Sequence, residues 1–209
     1  MKIIKPSFEF LDEVNEQEIL RKLEIVGRTC YKSEDKITED SAKSFIKKLI
    51  TSGHHAMIEH ISLSVKVVCD RGITHEIVRH RIASYAQEST RYCNYSKEKF
   101  GGEITVIEPC FWANTAAFSG AKKIVWQHIM YEIQEAYLEL IRLGATPQEA
   151  RSVLPNSLKT ELVMTMNLRE WRHFFTLRTS PNAHPQMQEI AKMMLVEFQK
   201  RMPIIFGEL

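Results

Sequence analysis

ISLSVKVVCDRGITHEIVRHRIASYAQESTRY, residues 61–92, changes its periodicity partway along, and that change sets the fold class. Ile61, Leu63, Val65 and Val67 alternate with Ser62, Ser64, Lys66 and Val68, the period of a strand with one face in a core. Asp70 then caps a helix in which His75 and Arg79 lie four residues apart on one face, with Arg79-His80-Arg81 at its end. From Ile82 to Tyr92 strong core formers all but vanish, while Ser84, Gln87, Glu88, Ser89 and Arg91 accumulate.

The flanking sequence extends this strand-to-helix pattern in both directions. A strand near Lys2 to Lys5 precedes a helix with Ile19, Leu20, Leu23 and Val26 at helical spacing. A second helix, with Phe45, Ile46, Leu49 and Ile50, stops at Gly53. Past the quoted stretch, a strand is expected at Glu103 to Ile107. The longest helical pattern follows, from about Phe118 to Leu143, with Val125, Ile129, Ile133, Leu140 and Ile141 as its apolar stripe and Gly144 as its stop. Thr146-Pro147-Gln148-Glu149 combines a capping box with proline at the first helical position and starts a helix carrying Arg151. Leu158, Thr160, Leu162, Met164 and Met166 suggest another strand. Asn167, with Glu170 three residues on, caps a helix toward Arg178, and His184-Pro185 opens a last one with Met187, Ile190, Met194 and Phe198 inward. Helix and strand are mixed without the regular alternation of a doubly wound sheet. No repeat, low-complexity run or linker marks a boundary, so residues 1–209 are taken as one domain.

Composition narrows the class further. The 209 residues, 44% of them hydrophobic, suffice for a real core, and a formal charge of +2 is too balanced for a general polynucleotide-binding surface. Any anion site must be local. MKIIKPSFEF lacks the apolar run of a signal peptide, and no other run approaches the roughly 20 apolar residues of a membrane span, so a cytoplasmic protein with no membrane partner is expected. Cys30, Cys69, Cys93 and Cys110 are widely spaced with no CxxC pair, which argues for reduced thiols.

Arginine offers five donors in a planar fork suited to phosphate or the edge of a heterocycle, which makes Arg79, Arg81 and Arg91 candidate anion- or ring-binding groups. Neither GxxxxGK nor GxGxxG is present, so binding must rest on side chains. His54, His55, Glu59 and His60 lack an HExxH order and a third ligand fixed by spacing, and no metal site is expected; a polar cluster bonding backbone or a ligand is the better reading. Ser89 is a hydroxyl donor or, beside a base, a nucleophile, while Cys110 is read as a buried inert thiol.

Arg79-His80-Arg81, seven intervening residues and Ser89 match the RHRx7S motif, and the chain thereby resembles the flavin-dependent thymidylate synthases. GHHAMIEH (53–60), ARSVLP (150–155) and MNLREWRHFFTLR (166–178) resemble further segments of that family. The resemblance implies a mixed α/β (α+β) fold, a central sheet flanked by helices, assembled as a homotetramer with shared active sites. It implies conversion of dUMP to dTMP with 5,10-methylenetetrahydrofolate as carbon donor and FAD, reduced by NADPH, as hydride carrier. Carried over by position, Ala56, Arg79, His80, Arg81, Gln87, Asn167, Leu168, Arg169 and His173 would contact the flavin. Glu76, Ile77, Val78, Arg79, Gln87, Glu88, Ser89, Thr90, Arg91, Arg151 and Arg178 would contact dUMP. Arg178 would favour ionisation at uracil N3, with Ser89 the other catalytic candidate.

This chain has Ala86-Gln87 where many members have Asn-Glu, Glu76 where Gln is frequent, and His173 where Asn is common. Those departures leave open a variant pyrimidine substrate. Two rival readings predict different observations: a synthase using Cys110 as nucleophile would lose turnover on Cys110→Ala, and a binding-only protein would take dUMP without oxidising flavin.

Overall fold

The structure, a computed structural model, describes residues 1–112 and 119–209. In chain order it comprises β1 (Lys2–Ile4), β2 (Ser7–Phe10), α1 (Glu16–Tyr31), α2 (Ser41–Thr51), β3 (Ser62–Asp70), α3 (Arg71–Ile77), β4 (Ser84–Gln87) and β5 (Thr105–Ile107). There follow α4 (Ser119–Arg142), α5 (Pro147–Ala150), β6 (Lys159–Asn167), α6 (Leu168–Arg178), α7 (Pro185–Arg201) and α8 (Pro203–Phe206). Short 3-10 turns intervene, including His55–His60 and Arg151–Val153. One sheet pairs β1 with β5 in parallel, Ile3 opposite Val106; the other has the order β2-β3-β6-β4. The chain forms two compact units: Met1–Phe8, Lys66–Arg79 and Tyr85–Val163 make the first, and Glu9–Val65, His80–Ser84 and Met164–Leu209 the second.

In the first unit Tyr95, Ile104, Val106, Met130, Tyr137, Ala150 and Leu158 form a buried cluster. Tyr137, fully buried, accepts from the Tyr95 amide at 3.3 Å, and Gln134 accepts from the Ile104 amide at 3.2 Å. The buried residues of α4 are thus Met130, Gln134 and Tyr137. Of the expected stripe, Ile133, Leu140 and Ile141 pack against this cluster, whereas Val125 and Ile129 are 63% and 48% exposed. Gln134 and Tyr137 join that face because loop amides there need acceptors, a requirement that apolar periodicity does not register. Phe118, where that helix was expected to begin, lies outside the described residues. Glu149 accepts from the Thr146 amide at 2.7 Å, as the capping box requires, but α5 stops at Ala150 and Arg151 stands in the following 3-10 turn. Asp70 caps α3 by accepting from Ile73 N at 2.9 Å. That helix ends at Ile77, which leaves Arg79 beyond it.

The second unit is built on aromatic packing. Trp171, Phe174, Phe175, Phe198 and Phe206 are fully buried, with Trp171 and Phe198 ring centroids 4.8 Å apart. Trp171 Nε1 donates to the Leu63 carbonyl at 3.1 Å, which fixes α6 against β3 within this unit. Asn15 caps α1 by accepting from Gln17 N, and the buried Glu24 holds both Arg28 and Ser41. Met187, Ile190, Met194 and Phe198 of α7 face inward as their spacing requires, but α7 is followed by the short α8, which begins at Pro203. Two strands had no counterpart in the sequence reading, β2 and β4, and each lies at an edge of the four-stranded sheet.

Candidate active site

Most of the residues assigned to substrate fall in the first unit. Gln87 closes β4, and its amide donates to Thr74 Oγ1 at 3.1 Å and Thr160 Oγ1 at 3.3 Å. Both amide protons are spent, which leaves Oε1 as the group Gln87 offers a ligand. Glu88 is tied at both ends: its amide donates to the Glu161 carbonyl at 2.9 Å, and its carboxylate accepts from Tyr95 OH at 2.8 Å and Lys159 Nζ at 2.9 Å. Burial works against the charge on Lys159, but the bonds to Glu161 and Glu88 outweigh it and raise its pKa; Glu161 is lowered by the same lysine. Burial, followed by the Glu88 carboxylate, pushes Tyr95 up. Gln87, Glu88, Lys66, Lys99 and Lys159 line an open groove of about 590 Å³.

Ser89 begins a turn whose Tyr92 and Cys93 amides donate to its carbonyl. Its Oγ accepts from the Arg91 amide at 3.3 Å, and no histidine, lysine or carboxylate bonds that hydroxyl among the described residues. Arg91 is exposed and donates to Gln148 Oε1 at 3.4 Å, so the turn leans on α5, the helix that runs directly into exposed Arg151. Two arginines sixty residues apart are thereby brought to neighbouring segments. Ile77 and Thr90 are buried, so only their backbones can face a ligand; the Ile77 carbonyl already accepts from Tyr85 OH at 2.9 Å. Val78 and Arg79 are exposed and Glu76 is half-buried. The thiol of Cys110 is half-buried in a 3-10 turn rather than fully enclosed.

The second unit holds the flavin-assigned residues other than Arg79 and Gln87, together with Arg178. Asn167 caps α6 by accepting from Glu170 N at 2.8 Å, and the Leu168 amide donates to the Ile61 carbonyl. Arg169 pairs with Glu59 at 2.6 Å, both exposed; Ala56, Arg81 and His173 are also exposed. His54 Nδ1 meets Tyr31 OH at 3.2 Å and His55 Nε2 meets the Ile50 carbonyl at 3.2 Å, so these two histidines bond neighbouring protein groups.

His80 is buried, its ring against Phe174 at 5.0 Å and His173 at 5.7 Å. Arg178 Nε donates to His80 Nε2 at 3.1 Å, and His80 Nδ1 lies 2.8 Å from Glu170 Oε1. A guanidinium nitrogen only donates, so Nε2 must be the bare nitrogen and Nδ1 must carry the proton. Burial first, then the charges of Arg178 and His173, lower the His80 pKa against the opposing pull of Glu170, which keeps the ring neutral. His80, Glu170 and His173 also present ligand atoms within 4.8 Å of one another, the spacing of a potential metal cluster. With both His80 nitrogens engaged and a guanidinium against one of them, the group is a hydrogen-bonded relay.

Glu170 was read from sequence as a helix-cap partner only; its amide does that, while its carboxylate does something else. The available signal was that Glu170, Phe174 and Arg178 stand at i, i+4 and i+8, which puts a carboxylate on the buried side of an aromatic helix.

Comparison with known proteins shows the family and the fold. The family model described as thymidylate synthase complementing protein matches residues 13–204. The structure of a UMP/dUMP methylase PolB from Streptomyces cacaoi bound with 5-Br UMP superposes with a TM-score of 0.77 at 21% identity, covering 99% of this chain and 95% of that one. The fold is therefore the mixed α/β fold of that methylase. A flavin-dependent thymidylate synthase of Pyrococcus furiosus is 34% identical over 176 residues, covering 84% of this chain and 70% of the relative. One from Geobacter sulfurreducens is 31% identical over 191 residues, covering 88% and 79%. The chain belongs to the flavin-dependent thymidylate synthase family.

Proposed function

We propose that this protein converts dUMP to dTMP by reductive methylation, taking carbon from 5,10-methylenetetrahydrofolate and using FAD reduced by NADPH. The observation that carries the reading is Arg178, half-buried at the end of α6 and held at Nε by a neutral His80. A guanidinium fixed in this way supplies positive charge where an anion develops at uracil N3, without needing to reorganise. Ser89, whose Oγ already accepts from the Arg91 amide, keeps its hydroxyl proton to donate, and with no base bonded to it acts as a positioning group rather than a nucleophile. Arg79, Arg91 and Arg151 hold the dianionic phosphate, with Gln87 Oε1 and the backbone from Glu76 to Val78 and from Glu88 to Thr90 ordering the nucleotide.

The guanidinium groups of Arg79 and Arg81 make no hydrogen bond or ion pair among the described residues, and a set of unspent, permanently charged donors fits a dinucleotide cofactor. Arg79, Arg81 and Arg169 would hold FAD with Ala56, His80, Gln87, Asn167, Leu168 and His173. When bound, the flavin supplies the hydride and positions the one-carbon unit. The family match over residues 13–204 spans both compact units, which supports reading residues 1–209 as one functional domain. Among the described residues no helix is long and apolar enough to cross a membrane.

The deciding experiment is mass-spectrometric detection of dTMP from dUMP, methylenetetrahydrofolate and NADPH, using protein stripped of flavin, with and without added FAD. Product only with FAD is expected. Product in both cases, or dUMP binding with no product in either, overturns the proposal.

A further inference from the structure

The relay at His80 contains one member with no role in the proposed reaction. Glu170 is buried, lies on the same face of α6 as Phe174 and Arg178, and directs Oε1 at His80 Nδ1 from 2.8 Å. A buried carboxylate is costly to retain, and its ring partner is itself buried, so the pair is not an incidental surface contact. The direction of each bond in the relay follows from chemistry. Arg178 Nε carries a hydrogen at every relevant pH, so the bond at Nε2 exists only while that nitrogen is bare. A neutral imidazole has two tautomers, and only the one with hydrogen on Nδ1 satisfies Arg178. An acceptor at Nδ1 selects that tautomer.

We propose that Glu170 is a positioning residue: by accepting from His80 Nδ1–H it holds the tautomer whose bare Nε2 anchors Arg178, and so sets the angle at which the guanidinium meets the pyrimidine ring. This rests on the function proposed above. Without the carboxylate, His80 also populates the tautomer with hydrogen on Nε2. Two N–H groups then face one another, and Arg178 swings out of place. A misplacement of about 1 Å at a reacting centre costs about 100-fold in rate. In the Glu170→Gln variant the side-chain amide oxygen can still accept from Nδ1–H, and the bare Nε2 demanded by Arg178 orients that amide correctly.

The test compares Glu170→Ala and Glu170→Gln with the unaltered protein in two independent measurements. The first is the nitrogen-15 spectrum of protein labelled at histidine, with His80→Gln identifying the His80 signals. Unaltered protein and Glu170→Gln are expected to show a protonated Nδ1 and a bare Nε2 at His80, and Glu170→Ala to lose that pattern. The second is steady-state dTMP formation. Glu170→Ala is expected to lower kcat by about 10- to 100-fold, whereas Glu170→Gln stays within about fivefold. A Glu170→Ala protein that retains the His80 pattern, or keeps kcat within about twofold, overturns the proposal. So does loss of turnover in both variants with the pattern intact, which marks a structural role. If the unaltered protein forms no dTMP, the proposed function fails while the spectrum still decides the role of Glu170. Should Glu170→Ala not fold, the proposal stands if Glu170→Gln shows both the expected pattern and the expected rate, and falls if either is missing.

Discussion

Arg178, His80 and Glu170 show how one histidine can be made to work in a single protonation state. Adding a second proton to His80 places hydrogen on Nε2, opposite Arg178 Nε–H, and breaks the bond that anchors the guanidinium. Burial, together with the charges of Arg178 and His173, pushes the His80 pKa below its ordinary value of 6.5, and Glu170 only partly offsets them. The expected kcat/KM for dUMP is therefore level from neutral pH down through about 6.5 and falls only below it. An acid limb centred above about 7 would show that His80 is not held neutral. Stability follows with a definite sign. Between 6.5 and the lower folded-state value the unfolded chain binds a proton that the folded chain does not, so the contribution is complete above 6.5 and lost as pH falls through that window. Comparing urea midpoints at about pH 7.5 and about pH 5.5 should show a smaller drop in His80→Gln than in the unaltered protein. At the same scale, Arg178→Ala is expected to lower kcat/KM at least about 100-fold, the cost of losing one preorganised charge-stabilising group. Ser89→Ala should retain substantial turnover, because no base is bonded to its hydroxyl; complete loss would restore it as the nucleophile.

Helix α6 is the element on which both packing and chemistry depend. Its Trp171, Phe174 and Phe175 are fully buried, while Glu170 and Arg178 flank them on the His80 side. Trp171→Ala removes the indole and its bond to the Leu63 carbonyl, and should cost about 3–5 kcal/mol of unfolding free energy. The denaturant midpoint measures this, and a loss below about 1 kcal/mol would mean the aromatic cluster closes over the gap. The start of α6 was legible because Asn167 and Glu170 have cap spacing, and so was the strand before it, where Thr160, Leu162, Met164 and Met166 are all buried. By contrast β4 carried no such signal. Ser84 to Gln87 are polar or small apart from Tyr85, and an edge strand gains its stability from backbone bonding to β6, which no side-chain pattern records.

For the whole molecule, α4 carries more exposed large apolar side chains than any other helix among the described residues. Ile124, Val125, Ile129 and Tyr131 are 67%, 63%, 48% and 51% exposed. Side chains of this kind gathered on one helix are what a subunit contact requires, and the family resemblance implies a homotetramer. Light scattering should give a mass near four times 24.3 kDa. If the sites are shared as the resemblance implies, Ile129→Glu should shift the population toward smaller species and lower turnover with it. A monomer with full activity would overturn the tetramer that the resemblance implies.

The sequence by itself determined the mixed α/β class, most of the helices and strands and the set of arginines around Arg79-His80-Arg81, because alternation, helical spacing, caps and a fixed motif are local properties of the chain. Tertiary structure alone decided which charged groups meet. Glu170 and His80 are ninety residues apart, Arg178 and His80 ninety-eight, and Glu88 and Lys159 seventy-one. Proton position on His80, the spent amide of Gln87 and the buried polar groups of Gln134 and Tyr137 on α4 all follow from partners that folding supplies. A hydrogen bond has direction only once donor and acceptor are in place, and sequence spacing cannot assign that direction across a fold.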